Sequence, residues 1–313
     1  MSDLIFSATG AWLALVVAIA GLLAIDLLLV RGRGGQMSVR EAAVASAIWV
    51  GVSLGFFAVL LLAGRGDDAS AYLAGYLVEK SLSLDNVFVF LLVFSAFGIA
   101  TEHRHRLLTF GIVAALVLRA VFIVAGAALL AAFGWVSFLF AALLLWTAWR
   151  IFAHRHDHES EDRLVDSLRQ RLRIADDRGL SGLTTREGGR RVLTTAGAAL
   201  IAIGVVDLIF AIDSVPAILA ITDDTYIVFA ANAFALLGLR PLFFLVAELV
   251  ERLYYLKTAL AVLLAFIAVK MVLGELIGKI GPEVSLPVIA LILGTGAAAS
   301  LIRERRRGRI GVS

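Results

Sequence analysis

The 313-residue chain is 61% hydrophobic and 17% charged, against roughly 45–50% apolar residues in ordinary soluble domains, so lipid is the expected solvent. It has no cysteine, which excludes disulfides, thiolate metal sites and thiol redox chemistry. The net charge of +3 comes from arginines gathered in particular loops, a pattern that membrane topology explains without nucleic acid.

The opening stretch, MSDLIFSATG, has no basic n-region and no small-x-small cleavage site before its first apolar run. It is expected to lead into a retained span, not a signal peptide. Continuous apolar runs of about twenty residues suit helices crossing a hydrocarbon core of about 30 Å. The short alternating segments of a barrel are not found in the sequence. The expected fold is an all-α polytopic membrane protein, a single integral membrane domain. Its nine spans are placed at about 10–30, 42–63, 71–99, 107–130, 133–152, 195–221, 226–249, 257–277 and 286–302.

The connections alternate in charge. Arg31, Arg33 and Arg40, then Arg104 and Arg106, then Arg252 and Lys257, and finally Arg303 to Arg309 form one set. The other set is acidic or near neutral: Arg65 with Asp67 and Asp68, the turn at Gly134, Asp223 with Asp224, and Lys279 with Glu283. By the positive-inside rule the first set faces the cytoplasm, giving an outside N-terminus and an inside C-terminus in the inner membrane. The long connection 153–194 then lies inside. Leu164, Leu168 and Leu172 recur there every four residues, which reads as an amphipathic helix on headgroups or bundle, or as one docked helix in a solvated linker. Gly179, Gly182, Gly188 and Gly189 leave its remainder loose.

Two spans carry related acidic motifs. Span three has Glu79, then Asp85, Asn86 and Val87; span six has Asp207, then Asp213, Ser214 and Val215. The span after each holds a central arginine, Arg119 and Arg240. Because spans three and six run in opposite directions, the repeat is expected to be inverted, as in secondary transporters with midplane sites. A charged residue at a helix centre costs about 2.5–3.5 kcal/mol, so these acids and arginines together would cost on the order of 15–20 kcal/mol uncompensated. Either the arginines neutralise the acids or the surplus carboxylates form a cation site.

Acids six apart on a straight helix differ by about 240° in direction and about 9 Å in height, so one ion would require a local break. Pro216 is expected to supply one beside Asp213, by freeing the Ile212 carbonyl. Asp85, Asn86, Asp213 and Ser214 offer hard oxygen, suited to Mn²⁺, Mg²⁺ or Ca²⁺, and no histidine lies within a span.

These residues resemble the TerC family. The resemblance rests on GYLVEKSLSLDNVFVFLLVF and HRLLTFGIVAALVLR in one half, and on DLIFAIDSVPAIL, ANAFALLGLR and YYLKTALAVLLAFIAVKM in the other. IDLLLVR in span one fits too. The resemblance implies manganese export from the cytoplasm and a link to tellurium resistance, with Mn²⁺ as the transported ion and no prosthetic group. Its acidic motifs fall on Glu79, Asp85, Asn86, Asp207, Asp213 and Ser214, and its NxFAxxGLR segment supplies Asn232 and Arg240. Family members often carry glutamate three residues before the first aspartate of the second motif, where this chain has Gly204.

Lesser signals remain two-sided. His103, His105, His154, His156 and His158 all lie on the expected cytoplasmic face, as surface residues or as a metal-capturing patch. Asp26 and Glu248 either line an exit or snorkel, and Lys270 either neutralises an acid or packs. The expected function is export of a divalent cation by a secondary transporter, not an enzyme, with protons neutralising the carboxylates on the return step. The alternative is a membrane partner protein that delivers metal to exported enzymes or organises a stress-response complex. Oligomeric state is left open.

Overall fold

The computed structural model describes residues 8–31, 37–99, 101–153, 183–187, 190–249, 255–277 and 282–310. Within the helices, the side chains of Asp85, Asn86, His105, Asp213 and Glu248 lie outside that description. The helices in order are α1 (Ala8–Arg31), α2 (Val39–Leu62), α3 (Gly66–Ala96), α4 (Thr101–Ala132) and α5 (Val136–Ala153). After a short hairpin, β1 (Thr184–Glu187) and β2 (Arg190–Leu193), come α6 (Thr195–Leu219), α7 (Thr225–Leu237), α8 (Leu239–Leu249), α9 (Leu256–Ile277) and α10 (Pro282–Ile310). The chain is thus an all-α polytopic membrane protein.

Among the described residues, seven helices are long and apolar enough to cross a membrane, or eight if the bent pair α7–α8 is one span. Helix α3 is 31 residues long, yet Glu79, Lys80 and Asp85 make it too charged for that count. The peripheral helices α1 and α2 bury only 17% of their apolar stretches, and Leu13, Val17, Ile48 and Val59 point outward. Such faces need lipid. The apolar stretches of α6 and α9 are 50% buried, and α3 packs centrally against α2, α6, α7, α8 and α10.

Local chemistry sets the helix ends. Ser38 and Glu41 form a reciprocal capping box at the start of α2, with Ser38 N donating to Glu41 Oε2 at 2.9 Å. Thr194 caps α6 by accepting from Gly197 N at 3.0 Å. Asp224 caps α7, accepting from Tyr226 N at 2.9 Å, and Arg65 at the head of α3 reaches the same carboxylate at 3.5 Å. The N-termini of α3 and α7 therefore share one end of the bundle. Helix α6 finishes only five residues before Asp224, so α3 and α6 run in opposite directions.

Close packing depends on small residues. Ala230, Ala231, Ala233 and Ala235 of α7 are fully buried. A Cβ on Gly75 of α3 would come within 3.2 Å of both Ala231 Cβ and Ile218 Cγ2, so glycine lets α3 approach α6 and α7 together. Aromatic rings weld the same region: Trp12 to Tyr226 at 5.4 Å, Phe56 to Tyr72 at 4.9 Å and Phe56 to Phe234 at 5.0 Å between centroids.

Two expectations change. Helix α6 continues unbroken through Pro216, and α3 is continuous through its acidic motif, so neither motif helix unwinds. The break lies in span seven instead, where α7 and α8 meet at a 42° bend around Gly238. A proline near the last turn deletes one hydrogen bond without ending the helix. At Gly238, a Cβ would lie 2.8 Å from Lys80 Nζ and 3.0 Å from Trp49 Cβ, so the bend fits tightly against α3 and α2. Part of the 153–194 connection is not loose: β1 and β2 pair antiparallel, with Thr184 opposite Leu193 and Glu187 opposite Arg190. The expected amphipathic helix around Leu164–Leu172 lies outside the described residues.

Candidate functional site

The fully buried Arg119 guanidinium of α4 gathers side chains from three other helices. Its Nη1 donates to Glu79 Oε1 of α3, to Asn232 Oδ1 of α7 at 3.0 Å and to Ser214 Oγ of α6 at 3.3 Å. Its Nη2 donates to Asp207 Oδ1 of α6 at 3.4 Å. Glu79, Asp207, Ser214 and Asn232 are each at most 1% exposed, so water contributes little screening.

Each side chain is held by its own helix. Ser83, one turn on from Glu79, donates to the same Oε1 at 3.1 Å. Asn232 Nδ2 donates back to the Val228 carbonyl at 3.0 Å, which turns its amide oxygen toward the arginine. The formal sum is two carboxylates against one guanidinium. Among the described residues, Glu79 Oε2, Asp207 Oδ2 and Arg119 Nε have no hydrogen-bond partner. Leaving such buried atoms unmatched costs about 1–3 kcal/mol each, and native proteins keep few of them without a use.

The arrangement offers two carboxylates, an amide oxygen and a hydroxyl, all hard oxygen donors. Among the described residues, no three acidic or histidine side chains gather as a metal cage. Asp85 and Asn86 lie beyond Glu79 on α3, and Asp213 lies beyond Asp207 on α6, but their side chains are outside the described residues.

The other arginine does something different. Arg240, just past the bend, donates from Nη2 to Asp26 Oδ1 at 2.9 Å and to the Asp26 carbonyl at 3.2 Å. Asp26 is buried, and the pair ties α8 to α1 instead of joining Arg119. Lys270 is buried and lines a cavity of about 480 Å³ at the end of the bundle where α6 finishes, with Ser137, Thr222, Asp223 and Glu275. Ser137 Oγ donates to Glu275 Oε1 there at 2.7 Å.

One residue that sequence reasoning passed over is Lys80. Its Nζ donates to the Ala235 carbonyl at 3.2 Å, so a cation sits on the C-terminal end of α7 where the span bends. The signal was available, because Lys80 is itself a charge inside a span and carries the same insertion cost as its neighbour Glu79.

Residues 65–308 match the family model described as integral membrane protein TerC family. The chain belongs to the TerC family. It is 39% identical over 298 residues to an uncharacterised membrane protein of Myxococcus xanthus, covering 95% of this chain and 93% of that protein. It is 41% identical over 274 residues to an Escherichia coli K12 protein provisionally named membrane-bound redox modulator Alx, covering 84% of this chain and 85% of the relative. An uncharacterised membrane protein of Rickettsia felis is 35% identical over 94% of this chain and 98% of its own length. No solved structure matches. In this TerC-family chain the matched segment contains every member of the Arg119 cluster, while Asp26 lies before it.

Proposed function

We propose that this chain is a secondary transporter in the inner membrane that exports a divalent cation, Mn²⁺ foremost, from the cytoplasm. The observation that carries the reading is the bridge Glu79–Arg119–Asp207, buried where α3, α4, α6 and α7 meet. Here two carboxylates meet one guanidinium, and Asp85 and Asp213 lie further along the same two helices. Two buried carboxylates that share one guanidinium, with the neighbouring Lys80 ammonium engaged on the Ala235 carbonyl, favour a cation.

Packing supports two inverted units. Helix α3 lies on α7 while α4 lies on α6, and exchanging α3 with α6 and α4 with α7 leaves that pattern unchanged. The antiparallel course of α3 and α6 fits the same relation. Rocking of the two units would expose Glu79 and Asp207 to each side in turn. Glu79, Asp207, Ser214 and Asn232 would hold the ion, Asp85, Asn86 and Asp213 would extend its path, and the termini would lie outside (N) and inside (C). The name of the E. coli relative concerns redox, and the absence of cysteine in this chain leaves no thiol route to such a role.

The test is total cellular manganese in manganese-stressed cells that lack their own exporter. Native chain is expected to lower it, and a membrane-inserted Glu79→Gln/Asp207→Asn variant is not. Equal manganese in native and vector-only cells would sink the reading.

A further inference from the structure

The four oxygens that converge on Arg119 would suit a different occupant. Glu79 Oε1, Asn232 Oδ1 and Ser214 Oγ gather on one terminal nitrogen and Asp207 Oδ1 on the other, four hard oxygens from three helices of the kind a divalent cation recognises. The guanidinium and a metal dication cannot share those atoms at contact distance, because like charges in a poorly screened interior repel strongly. The guanidinium is also incompletely fastened. Its Nε donates to nothing among the described residues, and the outer oxygens of both carboxylates accept nothing there. Two of its four side-chain contacts, to Ser214 and Asp207, are 3.3 and 3.4 Å long.

We propose that the Arg119 guanidinium is the internal counter-ion of the transport cycle, holding Glu79 and Asp207 between ions and yielding them when a divalent cation arrives. The proposal rests on the transport reading above and adds what the carrier does after release. Two ionised carboxylates match a dication charge for charge. Without an ion their charge must be covered by protons or by an internal cation, and the arginine on α4 covers one of the two charges during that return, which leaves one for a proton. Arginine suits the role because its fork reaches both carboxylates at once and it stays protonated throughout. The loaded step needs no arginine, since the ion supplies the charge; the unloaded step does. Arg119 is accordingly a positioning and charge-compensating residue, not a ligand.

The experiment separates the two steps. Native protein, Arg119→Gln and Arg119→Lys are reconstituted in liposomes, and Mn²⁺ movement is followed in two modes. In exchange mode Mn²⁺ is present on both sides, so the carrier returns loaded; in net mode one side is free of it, so the carrier returns unloaded. Native protein is expected to perform both. Arg119→Gln is expected to lower net flux on the order of a hundredfold further than it lowers exchange, the effect of leaving a buried charge unpaired. Arg119→Lys restores the charge without the fork and is expected to fall between. Equal loss of both rates in Arg119→Gln, or retention of both, overturns the proposal. If Arg119→Gln does not fold, Arg119→Lys decides: a net-to-exchange ratio equal to native overturns it, and a lowered ratio supports it. Native protein that moves Mn²⁺ in neither mode overturns the transport reading itself, which separates the two failures.

Discussion

Arg119 of α4 and Asp207 of α6 meet at 3.4 Å, and the same guanidinium holds Glu79 of α3 through its other terminal nitrogen. One cation thus fixes two acidic helices that run in opposite directions. The two carboxylates are not equivalent. Glu79 also accepts from Ser83 at 3.1 Å, whereas Asp207 has only the longer arginine contact among the described residues.

That inequality predicts an order of stability. Glu79→Gln is expected to be the costlier, at about 3 kcal/mol, because that carboxylate also accepts from Ser83, while Arg119 keeps Asp207 as its partner. Asp207→Asn should cost about 1–3 kcal/mol, nearer to the loss of one hydrogen bond. Thermal unfolding of the purified variants in detergent checks the order, and a reversed order would mean that Asp207 is the true anchor.

The Asp26–Arg240 pair offers a double-mutant cycle. The single change Arg240→Met leaves a buried carboxylate without its charge partner and is expected to destabilise by about 3–5 kcal/mol. Pairing it with Asp26→Leu should recover most of that loss, since an apolar replacement of a buried pair is often near neutral. Failure of the double variant to recover would show that the contact from Arg240 to the Asp26 carbonyl carries the stability instead.

The bend at Gly238 is expected to be intolerant. Gly238→Ala would place a Cβ 3.0 Å from Trp49 Cβ, which cannot yield without moving α2, and 2.8 Å from Lys80 Nζ. Overpacking of this kind costs about 1–3 kcal/mol. Lys80→Met removes the cation from the Ala235 carbonyl and should cost about 0.3–1 kcal/mol. Unfolding curves of both, run side by side, test the ranking.

Gly204 predicts a gain. An added Cβ there meets nothing within 4 Å, so the backbone admits a side chain, and Gly204→Glu sets a carboxylate about one turn before Asp207. It restores the glutamate that family members often carry. Mn²⁺ binding, measured by calorimetry in detergent, is expected to tighten; unchanged binding would place that side chain away from the ion path.

The exposed latch should matter little. Arg65 contacts Asp68 at 2.6 Å and Asp224 at 3.5 Å, but its side chain is 42% exposed. Arg65→Ala is expected to cost no more than about 1 kcal/mol, with the difference shrinking as salt is added. A larger, salt-insensitive loss would mean that this end of the bundle closes more tightly than its exposure indicates.

Sequence alone determined the solvent, the helical class and the family, because runs of some twenty apolar residues have no other stable state and the two acidic motifs are specific. It also marked Glu79, Asp85, Asn86, Asp207, Asp213 and Ser214 as candidate ligands, with Arg119, Asn232 and Arg240 in support, since a charge within a span must find a partner. What sequence could not assign was the partner. Arg119 and Arg240 look alike along the chain, yet one bridges two acids on different helices and the other pairs with Asp26, 214 positions away. Helical periodicity gives the direction of a side chain on its own helix and says nothing about which helix faces it. The break was likewise misplaced. Pro216 removes a single hydrogen bond near a helix end, whereas Gly238 bends where Trp49 and Lys80 crowd the backbone. That crowding arises only when α2, α3 and α7 are packed together, so tertiary structure alone decided it.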